Sequence, residues 1–242
     1  MARSEIREER LSVALRSTPM FRGLSPAELA RLKAIASLRD YARGETIWSA
    51  GDSADAFTLI VKGRVKIVRH GAGGDVILEI FDVGEPVGAI AVYDGIPYPA
   101  SAIAIEAVTL IRIPRTEYFH LLDKHPEFAR AVMRELTRLS IALTRKLGDM
   151  RGQRVEMRIA RLFLTLAARM GRPAGEGVEI PIQLTRQEVA ELVSTTVESA
   201  IRTLSRWGRE ELVITRESSF TIPSLARLKA VAEGGETGSA EP

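Results

Sequence analysis

Glu198 and Arg202 stand four residues apart in STTVESAIRTLSRW, the spacing that puts two side chains on one face of a helix. A guanidinium offers paired donors that match the O6 and N7 acceptors of guanine, and a carboxylate can accept from cytosine N4, so the pair has the chemistry to read base edges. The same two residues can also close on each other as a surface ion pair, and their types alone do not separate these readings. The flanking residues favour the first. Thr196 is placed to cap the helix, Val197, Ala200, Ile201 and Leu204 can face inward, and Glu198, Ser199, Arg202 and Arg206 are left outward. Upstream, Thr185 with Glu188 three residues on forms a capping box ahead of Val189, Ala190 and Leu192, and Ser194 and Thr195 break that helix. Two such helices, spanning 184–207, have the dimensions of a helix-turn-helix whose second helix enters the major groove. Segments 212–215 and 220–222, joined by a polar turn at 216–219, predict a β-hairpin wing behind it.

The elements that must position these groups follow from composition and pattern. A chain of 242 residues, 45% hydrophobic, is long enough for two domains of roughly 100 to 150 residues. Its 34 Lys and Arg nearly balance 31 Asp and Glu, so affinity for nucleic acid must come from local placement of charge. With no cysteine, a disulfide framework, cysteine-ligated zinc, an iron–sulfur cluster and a thiol nucleophile are all excluded. The N-terminal MARSEIREERLSV is charged, and no run of about 18 apolar residues occurs, so a soluble cytoplasmic protein without a membrane partner is expected. Ser25, Pro26 and Glu28 start a short helix through Leu29, Leu32 and Ile35. Apolar runs at 57–61, 65–68, 76–81 and 109–113, punctuated by Gly44, Gly51, Gly63, Gly71, Gly73, Gly74 and Gly84, predict a closed or rolled antiparallel barrel. From Pro126, the positions Ala129, Val132, Leu136, Leu139, Leu143 and Met150 form a narrow stripe interrupted by Lys146. This reads as a coiled-coil seam between two copies, with Val132, Leu136, Leu139, Leu143 and Met150 at the dimer interface; the other reading is a helix packed on its own barrel. A hinge is expected at 149–152, a helix at 155–170, a loop at 171–177 and a strand at 178–182. The domain reading is a sensor over 1–125, a dimerisation helix over 126–150, a DNA-binding domain over 151–232, and a tail over 233–242 of disordered composition.

Over nearly its whole length the chain resembles the catabolite-activator and fumarate-nitrate-regulator (CRP/FNR) family. RGETIWSAGDSADAFTLIVKGRVKIVR is similar to the family's β-roll, with Gly44, Gly51 and Gly63 in step, and LTRQEVAELVSTTVESAIRTLSRW to its helix-turn-helix. The resemblance implies an α+β fold: an N-terminal double-stranded β-helix of the cyclic-nucleotide-binding jelly-roll type, a long dimerisation helix and a C-terminal winged helix-turn-helix. It implies a homodimeric transcription regulator on a palindromic operator, with half-sites about one helical turn, ~34 Å, apart. Glu198 and Arg202 are then the base-reading pair, Thr185, Arg186 and Gln187 lie at the phosphates, and Thr196 and Ser199 complete the DNA-binding set. An activator would also meet RNA polymerase. Cyclic-AMP-type members carry an arginine where Val197 stands, which places the half-site nearer the fumarate-nitrate type.

The same resemblance locates an effector pocket at Gly88, Ala89, Ile90, Tyr98, Pro99, Ala100 and Leu143, within VGAIAVYDGIPYPASA and on the long helix. Ala89 stands for the ribose-binding acid, Tyr98 for the phosphate-binding arginine, Pro99 for the hydroxyl residue beside it, and Leu143 for a hydroxyl facing the adenine. A part-buried phosphate without a cation costs on the order of several kcal/mol, so tight cyclic-AMP binding is not expected. Three readings of this apolar lining stay open: haem, as in the nitric-oxide-responsive branch that GIPYPASA and VEIPI resemble, a small hydrophobic effector, or an empty pocket. His70, His120 and His125 read as surface or capping residues, not axial ligands, and Arg64, Lys66 and Arg69 as a solvated strand face. No Gly-rich phosphate loop, Ser/His/Asp order or His-rich metal spacing is present, so neither an enzyme nor a metal site is expected. The non-regulator alternative is a binding module whose C-terminal domain contacts a protein. Any effector is expected to bias the 126–150 helix and the hinge between two placements of the DNA-binding domains.

Overall fold

Ser25 begins its helix as the spacing requires. In the computed structural model, which describes residues 2–72, 74–149 and 154–235, the Ser25 hydroxyl accepts from the Glu28 amide, and the Glu28 carboxylate accepts from the Ser25 amide at 2.7 Å. This reciprocal cap starts α2 (Pro26–Ile35). A helix that the sequence reading did not assign precedes it, α1 (Ala2–Ser17). Its many charges mask an i, i+3, i+4 set, Leu11, Ala14 and Leu15, all buried.

Eight strands follow: β1 (Ser37–Tyr41), β2 (Thr46–Trp48), β3 (Ala56–Lys62), β4 (Val65–Arg69), β5 (Val76–Phe81), β6 (Pro86–Val87), β7 (Ser101–Ala104) and β8 (Val108–Pro114), with α3 (Ala89–Asp94) between β6 and β7. They form two antiparallel sheets in the orders β1-β8-β3-β6 and β2-β7-β4-β5. Inward residues of both sheets, among them Ile60, Val65, Phe81, Ala102 and Leu110, share one core, the double-sheet arrangement of a jelly roll. Four of the strands match expected runs; β1, β2, β6 and β7 were missed because each is short and shows little period-2 alternation. Gly63 turns β3 into β4 at φ 76°, and a Cβ there would meet the Ala107 carbonyl oxygen at 2.4 Å, so the turn admits only glycine without rearrangement. Arg64 beside it is not a solvated strand residue: its side chain is largely buried and bonds Glu106 at 2.9 Å and Asp82 at 3.4 Å.

The helices α4 (Arg115–Lys124) and α5 (Pro126–Asp149) close this unit. Phe57, Tyr118 and Phe128 make an aromatic cluster, with Phe57 and Tyr118 stacked at 4.6 Å. Burial pushes the Tyr118 phenol up from 10.0 to about 12. The neutral phenol is thus favoured by folding, and its stabilisation is complete below pH 10 and lost as pH rises from there towards 12. A tyrosinate absorbance titration should show Tyr118 ionising only as the unit unfolds near that upper limit; full titration by pH ~11 without unfolding would contradict it.

Part of the stripe on α5 packs on its own barrel. Val132 is 3% exposed in the core with Phe128, Leu136 packs on the same core, and Leu139 packs on the core between the sheets. Apolar periodicity identifies a buried face without identifying what covers it. The outward side instead carries Met133 and Ile141, with Leu143 exposed at its edge. Met150 and most of the expected hinge lie outside the described residues.

The chain divides into two contact units, 1–143 and 144–242, the division falling within α5. The second unit contains α6 (Val155–Met170), β9 (Arg172–Ala174), β10 (Gly177–Ile180), α7 (Arg186–Val193), α8 (Val197–Arg209), β11 (Ile214–Thr215), β12 (Phe220–Ile222) and α9 (Leu225–Ala232). The expected loop at 171–177 contains β9, which pairs with β10, and the strand expected at 178–182 ends at Ile180. The sheet order is β11-β12-β10-β9. Its core gathers Ile159, Phe163, Leu204, Trp207 and Phe220, with Phe163 and Phe220 edge to face at 4.9 Å.

Candidate nucleic-acid interface and sensor cavity

The start of α7 is set by one residue pair. Thr185 Oγ1 accepts from the Glu188 amide at 3.1 Å, and the Thr185 amide donates to Glu188 Oε2 at 2.8 Å. The helix stops at Ser194, whose φ of 52° is left-handed, and three residues separate it from α8. Thr196 then caps α8 by accepting from the Ser199 amide at 3.3 Å. Thr196, Ser199 and Arg202 form a chain: Thr196 Oγ1 donates to Ser199 Oγ at 3.1 Å, and Arg202 Nη2 donates to the same oxygen at 3.3 Å. The i, i+4 ion pair open to Glu198 and Arg202 is therefore not the arrangement adopted, and the Glu198 side chain is exposed beside this chain. Of the residues expected near phosphate, Thr185 is engaged in its cap, Gln187 donates to Glu191 at 2.7 Å, and Arg186 donates to Thr215 of the wing at 2.9 Å. Partial burial pulls the Arg186 guanidinium below its ordinary value.

The inward face of α8 is Ala200, Thr203, Leu204 and Trp207. Ile201, expected inward, is 46% exposed. At about 100° per residue it lies some 60° beyond Leu204, outside the buried arc, and Thr203 takes the inward place. Arg206, expected outward, turns to the flank, with Glu156 at 3.5 Å and Glu210 at 3.8 Å.

The first unit holds a cavity of about 200 Å³ between the sheets' rim, α3 and α5. Gly88 enters α3 at φ 72°, and the Tyr98 ring stacks on Trp48 at 4.2 Å with 14° between planes. Trp48 Nε1 donates to the Ala100 carbonyl at 3.2 Å, locking the stack to β7's approach. Gly88, Ala89, Ile90, Tyr98, Pro99, Ala100 and Leu143 all line this cavity, as the resemblance implied, though Ile90 is 52% exposed at its edge. Sequence reasoning missed Trp48, Phe81, Leu136 and Leu139, whose roles depend on strands and helices far apart in the chain. The charged residues lining it are Glu79 and Glu135, and Glu135 is held by Arg138 at 2.9 Å. No cation among the described residues lines it. Burial raises the Tyr98 phenol above its ordinary value, so it stays neutral.

Among the described residues no histidine or methionine lines the cavity either, and the chain has no cysteine. His70 contacts Asp75 at 2.8 Å, His125 contacts Glu28 at 3.2 Å, and His120 lies 3.1 Å from Arg31. Among the described residues no group of three metal-ligating side chains assembles, and no helix is long and apolar enough to cross a membrane.

A jelly roll with a cavity against a long helix, followed in the chain by a winged helix-turn-helix, is the domain order of this protein. Residues 38–125 match the cyclic nucleotide-binding domain family, and residues 157–231 match the Crp-like helix-turn-helix domain. The chain is 27% identical over 210 residues to a CRP-like cAMP-activated global transcriptional regulator of Mycobacterium tuberculosis, covering 86% of this chain and 94% of the relative. It is 26% identical to a cyclic AMP receptor protein of Thermus thermophilus, over 91% of this chain and 99% of that one. The fold is shared with the c-di-GMP-responsive global regulator CLP of Xanthomonas campestris, at a TM-score of 0.68 and 21% identity, over 83% of this chain and 100% of that one. The chain belongs to the CRP/FNR family of transcription regulators.

Proposed function

We propose that the protein is a homodimeric, sequence-specific DNA-binding regulator whose sensor cavity takes a small, uncharged, largely apolar molecule and not a cyclic nucleotide. The observation that carries the effector class is the cavity's composition: an aromatic stack and aliphatic side chains, two carboxylates and, among the described residues, no cation. A cyclic phosphate placed there would lose water without gaining a charged partner. Its volume of about 200 Å³ is below the ~300 Å³ at which drug-sized ligand sites begin, which favours a small molecule over haem, as does the lack of a histidine or methionine among the described lining residues. Leu136, Leu139 and Leu143 bring α5 into the cavity wall, so a bound molecule touches the helix that leads out of the sensor. Differential contact with that helix is what a population shift requires.

Calorimetric titration should give no cyclic-AMP or cyclic-di-GMP binding at micromolar concentration, and haem titration should give no stoichiometric Soret complex. Micromolar affinity for either nucleotide overturns the effector class, as does a stoichiometric haem complex. Saturation by no member of a panel of small apolar molecules favours a cavity that stays empty.

The DNA reading rests on the exposed face at the start of α8, where Glu198 and the Thr196–Ser199–Arg202 chain stand opposite a fully buried face. Binding-site selection followed by Arg202→Ala should remove about 1 to 3 kcal/mol of discrimination at one base pair per half-site, while Glu198→Ala relaxes a different position. Equal affinity for palindromic and scrambled duplexes at moderate salt would sink this reading. For the dimer, the outward residues Met133 and Ile141 are the relevant set. The Met133→Glu, Ile141→Glu double variant should sediment as a folded monomer; a retained dimer would move the interface elsewhere.

A further inference from the structure

Ile201 is the one large hydrophobic side chain left exposed among the described residues 154–235. An isolated exposed isoleucine is ordinary on a protein surface, so its position must carry the argument. Taking about 100° per residue from Glu198, Arg202 lies about 40° to one side and Ile201 about 60° to the other, while Ala200 and Trp207 lie on the opposite side. The latter two are buried, which orients the helix: Glu198, Ile201 and Arg202 share its outward face. All three fall in the first two turns, the part of a recognition helix that meets base edges. Local folding does not ask for isoleucine there, since a β-branched residue on an exposed helix face lowers helix propensity and is only partly covered.

An aliphatic side chain has one specific counterpart in the major groove, the C5 methyl of thymine. We propose that Ile201 is a specificity-determining residue that packs on a thymine methyl beside the base pairs faced by Glu198 and Arg202. This rests on reading α8 as the recognition helix, and the test separates the two. The full-length protein is used to select its preferred duplex from a random pool, and each thymine of that duplex is then replaced singly by uracil, which removes the methyl alone. One position per half-site should lose roughly four-fold in affinity, the loss expected from one unburied methyl group, and Ile201→Ala should bind the thymine and uracil duplexes equally. A selected site at which every uracil is tolerated overturns the role of Ile201 and leaves the reading of α8 standing. A uracil effect that persists in Ile201→Ala assigns the methyl to another side chain and also overturns it. Enrichment of no sequence overturns the reading of α8 itself. The uracil series is read on the unaltered protein, so a variant that folds poorly does not blur the outcome.

Discussion

Trp207→Ala is expected to remove about 3 to 5 kcal/mol from the stability of the second unit, the cost of deleting a fully buried indole. Trp207 is 0% exposed, sits on the inward face of α8, and its carbonyl accepts from the Leu212 amide at 2.8 Å where the chain turns towards the wing. A domain has about 5 to 15 kcal/mol in all, so the loss takes roughly a fifth of it or more. The thermal transition of this unit should fall by roughly 12 °C or more, and DNA binding should fall with it, because the same side chain seats the helix that presents Glu198, Ile201 and Arg202. The indole Nε1 makes no hydrogen bond among the described residues, so Trp207→Phe loses volume but no polar partner and should cost clearly less. A shift of less than about 4 °C for the alanine variant would show that the helix is held by something other than this core. Trp48 is the other of the chain's two tryptophans and reports the first unit in that variant.

Gly88→Ala should destabilise the first unit by about 2 to 5 kcal/mol, the sum of a left-handed alanine and overpacking against rigid neighbours. The added Cβ would lie 2.6 Å from Tyr98 Cε1 and 3.1 Å from Trp48 Cζ2, and neither ring can retreat: each is buried, and they stack on one another. Gly44→Ala separates the two contributions, because Gly44 has a similar φ of 80° but nothing within 4 Å of an added Cβ. Only the conformational cost, about 1 to 2 kcal/mol, is expected there. The near-ultraviolet circular dichroism of the Trp48–Tyr98 stack should change in Gly88→Ala and stay constant in Gly44→Ala. Equal melting temperatures for the two variants would mean that the stack yields, and that the cavity is a softer site than its geometry indicates.

The helix-turn-helix was legible because its signals are local. Thr185 with Glu188, and Thr196 with Ser199, make their hydrogen bonds within three residues, so spacing alone is enough to place the starts of α7 and α8. The inward face of α8 was only partly legible. Ile201 lies near the boundary of the buried arc, and hydrophobicity assigns it inward while the packing of Thr203 and Trp207 turns it out. Strands of two to five residues left too little pattern to recognise, and α1 hid its apolar set among charges.

The Glu198 and Arg202 spacing, the caps on either side of the turn and the missing cysteines were decided by the sequence alone, since each depends on residue type or on neighbours within one helical turn. Tertiary structure decided the rest. It joined Trp48 to Tyr98, 50 positions on, by pairing β2 with β7, and packed part of the α5 stripe onto its own barrel. Those outcomes depend on which surfaces exclude water together, and such pairings form between segments whose separation along the chain carries no periodic signal.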